Sequence, residues 1–182
     1  PDLTIENAAC IEITPGRVTS LRNSLIIDHH GTQPRQGMDE QGNQWTLEPE
    51  YKAVSSLIAD HWKLEFPKEW RTAMEEVDTA TLKSKLSQTL WKAYRVDAKG
   101  FPRLKVAEIV KKGNWKQLQE WAENRQTEYQ KVDEKTKELL EKSEKLTTES
   151  VYLTFQFNDR WERGASKDAM LILEEKTPIV IA

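Results

Sequence analysis

The run Leu25-Ile26-Ile27-Asp28 constrains this chain more than any other segment. Three consecutive large aliphatic residues match neither the period of two of a half-buried strand nor the 3.6 of a surface helix. Such a run buries all its side chains only when both faces of a strand are covered, as inside a parallel sheet flanked by helices. Asn23-Ser24 precedes it and His29-His30-Gly31 follows it, so the strand runs abruptly into polar residues. The expectation is an α/β fold: a parallel-type sheet with flanking helices, a long connector helix and a C-terminal β segment.

The flanking segments fill in that outline. Residues 8–13 read as a short strand stopped by the turn signal Pro15-Gly16, with Glu12 an ordinary strand glutamate. Residues 31–48 are polar and carry Pro34, Gly37 and Gly42, which predicts a loop with a short hairpin before Trp45. Tyr51, Val54, Leu57, Ile58, His61 and Trp62 recur at helical spacing on one apolar face. Trp70, Ala73, Met74 and Val77 predict a second helix after Pro67, and Leu82, Leu86, Leu90 and Ala93 a third. Gly100-Phe101-Pro102 breaks the pattern before a short helix around Val106 and Ile109. From Asn114 to Leu146 there is neither Pro nor Gly, and Asn114 is a favourable N-cap. One helix over that span would be roughly 50 Å long. Val151–Phe157 then alternates as a strand, Asp159–Lys167 is a polar turn region, and Ala169–Leu173 and Pro178–Ala182 read as two more strands. No internal repeat stands out. The domain reading is a partial α/β domain over 1–112, a connector helix over 113–148 and a β-rich segment over 149–182 that begins a second domain.

Composition sets limits on function. A length of 182 residues suits one domain, or one and part of another. Only 37% of residues are hydrophobic, but seven Trp argue against disorder. A formal charge of -3 excludes a generally basic nucleic-acid binder, although the stretch from Arg95 to Lys116 is locally basic. A solvated helix face is the ordinary use of such a stretch. Lys111, Lys112 and Trp115 are its candidates for contact with phosphate and base. The longest apolar runs are too short to span a bilayer, and the single Cys10 excludes intrachain disulfides and cysteine-based zinc sites. A cytoplasmic protein without a membrane partner is expected.

Chemistry concentrates in Asp28-His29-His30-Gly31, where two of the three histidines are adjacent. The carboxyl end of a buried parallel strand is where ligands gather in open α/β sheets. Imidazole is the commonest side-chain ligand of transition metals, and a neighbouring carboxylate fixes its tautomer. Leu25-Ile26-Ile27-Asp28-His29-His30-Gly31 resembles the third motif of the DHH phosphoesterase superfamily. Met74-Glu75-Glu76-Val77-Asp78-Thr79 is similar to its fourth, in which a helix delivers an aspartate to the metals. The resemblance implies His29 as metal ligand, His30 as catalytic contact to the phosphate, Asp28 as ligand or orienting group, and Asp78 as a further ligand. It implies Mn²⁺, or Mg²⁺, and hydrolysis of a phosphodiester or phosphoanhydride, with a phosphorylated small molecule or short nucleic acid as substrate. The first of the family's two upstream aspartate motifs has no counterpart before Asp28, and for the second the preceding strand offers only Glu12, whose ordinary reading is a plain strand glutamate. An incomplete or degenerate member, a homo-oligomer, a second chain supplying those motifs, and a non-catalytic binding or assembly module contacting nucleic acid all fit that departure.

Overall fold

A computed structural model describes residues 3–12, 19–96, 103–142, 144–145, 150–152, 160–175 and 179–181. In chain order these form strands β1 (Leu3–Glu6), β2 (Ala9–Ile11), β3 (Thr19–Arg22), β4 (Leu25–Asp28), β5 (Arg35–Met38) and β6 (Gln44–Leu47). Helices α1 (Val54–His61), α2 (Lys68–Asp78), α3 (Lys85–Val96), α4 (Arg103–Lys111), α5 (Trp115–Glu123) and α6 (Gln126–Glu141) follow. The chain closes with β7 (Glu144–Lys145), β8 (Ser150–Tyr152), α7 (Arg160–Glu174) and β9 (Ile179–Ile181). The protein is α/β, as the apolar run predicts. It divides into two compact units, Pro1–Ser87 and Gln88–Ala182. The turn at Pro15-Gly16, the break at Gly100-Phe101-Pro102 and the strand residues 153–157 lie outside the described residues.

In the first unit, four strands join in the order β2-β4-β6-β5. β4 lies parallel to both β2 and β6, and β5 pairs antiparallel to β6 along one edge. The expected loop over 31–48 is therefore a hairpin whose second arm enters the parallel sheet. Ile26 and Ile27 are fully buried, and Ile27 packs on Val54 and Leu57 of α1. Burying such side chains contributes about 1.5–3 kcal/mol each. His61 and Trp62, expected inward, are exposed because α1 ends at His61 and both fall at its exit.

A 16-residue repeat of backbone geometry runs through the start of this unit. β1 pairs with β3 as Leu3↔Thr19, and β2 with β4 as Ala9↔Leu25, the same offset throughout. Between them Asn7 and Asn23, equivalent by that offset, both take left-handed φ values of 55° and 49°. Asn tolerates that region better than most residues. Gly42 holds the equivalent corner before β6 at φ 78°. A Cβ there would lie 2.5 Å from Asn23 Oδ1, so the corner is closed to larger residues. The amide of Asn7 donates to Arg22 O and that of Asn23 to Gln41 O. Behind these corners Asn43 Oδ1 accepts from the Ser24 amide, and Ser24 Oγ accepts from the Ala8 amide.

Two latches join α2 to α1. Arg71 donates from Nη1 and Nη2 to the two carboxylate oxygens of Asp60, at 2.8 and 2.7 Å. Ser56 Oγ donates to Glu75 Oε1 at 2.7 Å. Tyr51 Oη also donates to Asp60, tying the chain before α1 to the same carboxylate.

The second unit departs from expectation in two places. The predicted helix over 114–146 is two helices separated at Asn124-Arg125, and the chain has passed into strand β7 by Glu144-Lys145. The Arg125 amide bonds back three residues to Ala122 O, Arg125 Nη1 takes Trp121 O, and Gln126 Nε2 takes Ala122 O. Side chains thus satisfy carbonyls that a continuing helix would use. The predicted N-cap does form, with Asn114 Oδ1 accepting from the Gln117 amide. The predicted turn over 159–167 and strand over 169–173 are instead α7. Ala165, Ala169 and Leu173 are buried at four-residue steps and pack on Val132 and Leu139 of α6. β8 and β9 are parallel with α7 between them in sequence, a βαβ unit in which β7 adds an antiparallel edge.

Asp168 anchors that unit. Its carboxylate accepts from Trp91 Nε1 at 3.0 Å, Arg95 Nε at 3.1 Å and Tyr129 Oη at 2.6 Å. Arg95 also stacks on Trp91, 3.6 Å from the ring centroid. Gly164 admits this approach, since a Cβ there would lie 2.4 Å from Arg95 O.

Two stability outcomes follow from these contacts. Asp168→Ala leaves a buried guanidinium unpaired, and urea denaturation should register a loss of about 3–5 kcal/mol. Replacing Arg95 and Asp168 together by Met and Leu should cost less than that single change, because no charge is then stranded. Glu76 Oε2 accepts from Ser87 Oγ at 2.6 Å and from the Ser84 amide at 2.7 Å. These bonds, that of Ser87 first, hold its carboxyl down at about 2. A depressed carboxyl contributes stability that is present above its unfolded value and lost as pH falls through the folded one. Wild-type stability should therefore decline between about pH 4.5 and 2, and Glu76→Gln should flatten that part of an acid titration followed by circular dichroism.

Candidate metal centre

Parallel pairing brings the carboxyl ends of β2 and β4 side by side. Ile11 pairs with Ile27, which sets Glu12 next to Asp28 at the strand edge. Glu12 leaves the sheet at φ 59° while its amide still donates to Ile27 O. A glutamate in the left-handed region is strained, a state that persists where surrounding structure enforces it and that clusters at functional sites. After Asp28 the chain exits through His29 and His30. The latched helix α2 brings in Asp78 as its last residue.

Hydrogen bonds fix both imidazoles by their Nδ1 atoms. His29 Nδ1 lies 2.9 Å from Tyr51 O. A carbonyl only accepts, so Nδ1 carries the proton and neutral His29 presents a lone pair at Nε2. That Nε2 is buried and makes no hydrogen bond, yet it lies 3.3 Å from Asp78 Oδ2. A lone pair facing a carboxylate at that distance is repulsive unless a proton or a cation stands between them. His30 Nδ1 lies 2.8 Å from Asp28 Oδ1, which also accepts the His30 amide at 3.0 Å. Asp28 is 1% exposed. It serves as the orienting carboxylate behind a histidine, one of the two roles that the motif implies for it.

Glu12, His29 and His30 each bring one ligand atom within 4.8 Å of the other two. Two ligands at 2.0–2.1 Å from a tetrahedral ion sit roughly 3.3 Å apart, which matches the His29–Asp78 separation. The electrostatics are those of a site short of positive charge. Partial burial raises the Glu12 carboxyl above its ordinary value, and the charge of Asp78 raises it further, against the pull of both histidines. The hydrogen bond to Asp28 raises the His30 imidazole, overcoming its desolvation. A divalent cation would satisfy the His29 lone pair and both facing carboxylates together.

The fold thus gathers Asp28, His29, His30 and Asp78 in one place. Glu12, read from sequence as an ordinary strand glutamate with a metal-site role as the minor alternative, joins them. The signal for it was the match of Ile11-Glu12 to Ile27-Asp28 sixteen residues on, which becomes legible once the strands are seen in register. Lys111, Lys112 and Trp115 belong to the second unit. Lys111 ends α4, Lys112 lies in the turn after it, and Trp115 opens α5; the lysines are exposed and the tryptophan is half-buried. No helix among the described residues is long and apolar enough to cross a membrane.

Comparison with known proteins finds no match: no family model, no curated protein and no solved structure is similar to the chain. The functional reading therefore rests on the chemistry of this cluster.

Proposed function

We propose that the first unit is a divalent-metal centre that hydrolyses a phosphodiester or phosphoanhydride. The observation that carries the reading is the buried, unbonded Nε2 of His29 directed at Asp78. Glu12, His29 and Asp78 would hold the ion. Two carboxylates with an imidazole suit Mn²⁺ better than Mg²⁺, which favours an all-oxygen shell. Such an ion supplies Lewis acidity and a water acidic enough to act as a nucleophile at neutral pH.

The chain's own residues divide the remaining work. His29 is 12% exposed and His30 62% exposed in their side chains, which supports giving the first to the ion and the second to substrate. Asp28 holds the His30 ring so that Nε2 faces outward, where it can contact a phosphoryl oxygen. Tyr51 O keeps His29 in the tautomer a ligand requires. The substrate class is a phosphorylated small molecule or the end of a short nucleic acid.

A second reading is a metal-holding binding module without hydrolysis. It is favoured by the donor count, because Glu12, His29 and Asp78 supply one ion and the phosphoesterases that the motif resembles use two.

Both readings meet one experiment. Protein stripped with chelator and titrated with Mn²⁺ should take up one equivalent, measured by calorimetry and elemental analysis. His29→Ala should abolish uptake, whereas Asp28→Asn, which frees the His30 ring and not the His29 ring, should leave uptake in place and lower hydrolysis. Hydrolysis of bis(p-nitrophenyl) phosphate or pyrophosphate should appear with the metal and vanish in His29→Ala. One bound equivalent without hydrolysis would leave only the binding module, and absence of metal uptake would sink both.

A further inference from the structure

His29 and Asp78 face each other across 3.3 Å but are carried by separate elements, one by the exit of β4 and the other by the last residue of α2. A pair of metal ligands tolerates little error, since bond lengths to the ion hold within about 0.2 Å. One residue of slip along a helix already moves a side chain by about 1.5 Å. Trp70 and Ala73 bury the apolar side of α2. Hydrophobic burial is non-directional, however, and does not by itself select a register. The position of α2 along α1 is left to polar contacts.

Those contacts form an antiparallel ladder. Asp60, next to the end of α1, takes both Nη groups of Arg71, and one turn away Ser56 Oγ donates to Glu75 Oε1. A turn backward on α1 is thus a turn forward on α2. One further turn on each helix brings Asp78 level with Ala53, the N-cap residue of α1 that closely follows Tyr51. Arg71, Glu75 and Asp78 lie at i, i+4 and i+7, on one face of the helix. A single contact would leave α2 free to rock about it, and the second removes that freedom. Ser56 is fully buried, which makes Glu75 the pivot, with Arg71 and Asp78 on opposite sides of it. Tyr51 engages the same carboxylate from the other direction. Its hydroxyl donates to Asp60 Oδ2 at 3.0 Å while its carbonyl holds His29 Nδ1 at 2.9 Å.

We propose that Asp60 is a positioning residue of the centre, which sets the approach of His29 Nε2 to Asp78 by accepting Tyr51 Oη and the Arg71 guanidinium at once. The proposal rests on the metal-centre reading and adds that the ligand spacing is set by a residue outside the ligand set. Fold stability depends on it little. The Asp60 and Arg71 side chains are 46% and 33% exposed, and ion pairs so open to solvent contribute little to folding.

Two readouts separate positioning from packing. In metal-free protein, long-range ¹H–¹⁵N correlation spectra should show His29 protonated on Nδ1 alone, and Asp60→Ala should admit the Nε2-protonated form. Tyr51→Phe, which removes the hydroxyl and keeps the carbonyl, should do the same. Asp60→Ala and Arg71→Ala should each weaken Mn²⁺ binding about tenfold, and the double variant no more than Asp60→Ala alone, because both act through one contact. Co²⁺ at saturating concentration should give an altered visible spectrum in both single variants, as a displaced ligand requires. Thermal melting of the metal-free proteins should stay close to wild type. Lys137→Ala, which breaks an exposed ion pair with Asp133 on α6, should move none of these readouts. An unchanged His29 tautomer together with unchanged Mn²⁺ affinity in Asp60→Ala would overturn the proposal. Weaker binding in step with a large fall in melting point would overturn it too, since packing alone would then account for the loss. A wild type that takes up no Mn²⁺, with the His29 tautomer still lost in Asp60→Ala, would remove the metal reading and keep Asp60 as the group that orients His29.

Discussion

The hydrogen bond between His29 Nδ1 and Tyr51 O is the interaction on which the rest of the site depends. It fixes the tautomer, and with the tautomer the position of the lone pair that a cation would use. Tyr51 is itself held, since its hydroxyl donates to Asp60, and Asp60 receives both Nη groups of Arg71 from α2. The helix that carries Asp78 and the turn that orients His29 are therefore fastened to a single carboxylate. Loosening Asp60 would release the ring and the opposing aspartate together. Fully exposed ion pairs add little to stability, but this one is bidentate and joins two helices, so its main consequence is alignment.

Behind that bond stands the parallel ladder. A parallel pair at constant register carries equivalent residues to the same edge, so whatever follows β2 and β4 arrives side by side. Asn7, Asn23 and Gly42 turn three successive rungs at the opposite end in the same left-handed conformation. The hydrogen bonds from Asn43 to Ser24 and from Ser24 to Ala8 lock the rungs in step. A slip of one residue would turn Ile26 and Ile27 to opposite faces and separate Glu12 from Asp28. Register here sets both the core and the centre. The second unit is built on a different principle, a buried carboxylate at Asp168 that gathers three donors from two helices.

The legible parts of the sequence were those where one physical requirement dominates. Leu25-Ile26-Ile27, bounded by polar residues, reads as a covered strand, and Asp28-His29-His30 after it belongs to the cluster that the fold brings together. Glu12 was hidden because its placement depends on a left-handed backbone and on pairing with residues sixteen away, neither of which its neighbours encode. The repeat was missed for the same reason: it is a repeat of conformation more than of residue identity. Ala169–Leu173 was misread because a short apolar run does not distinguish strand from helix. The pattern that settles it, Ala165-Ala169-Leu173, extends back into residues that read as a polar turn. The break at Asn124-Arg125 escaped notice because it needs neither Pro nor Gly; Arg125 and Gln126 cap the carbonyls with their own side chains.

Charge balance limits what the centre can attract. Glu12 and Asp78 bring two negative charges to the ligand set, and a divalent ion brings two positive ones, so the loaded centre is close to neutral. A neutral centre polarises a phosphoryl group but attracts a multiply charged anion only weakly, because Coulomb energy scales with the charge on both partners. On the proposed reading, hydrolysing a phosphoanhydride or a phosphorylated nucleic-acid end then requires positive charge from outside the ligand set. His30 supplies part of it when protonated, favoured by its bond to Asp28.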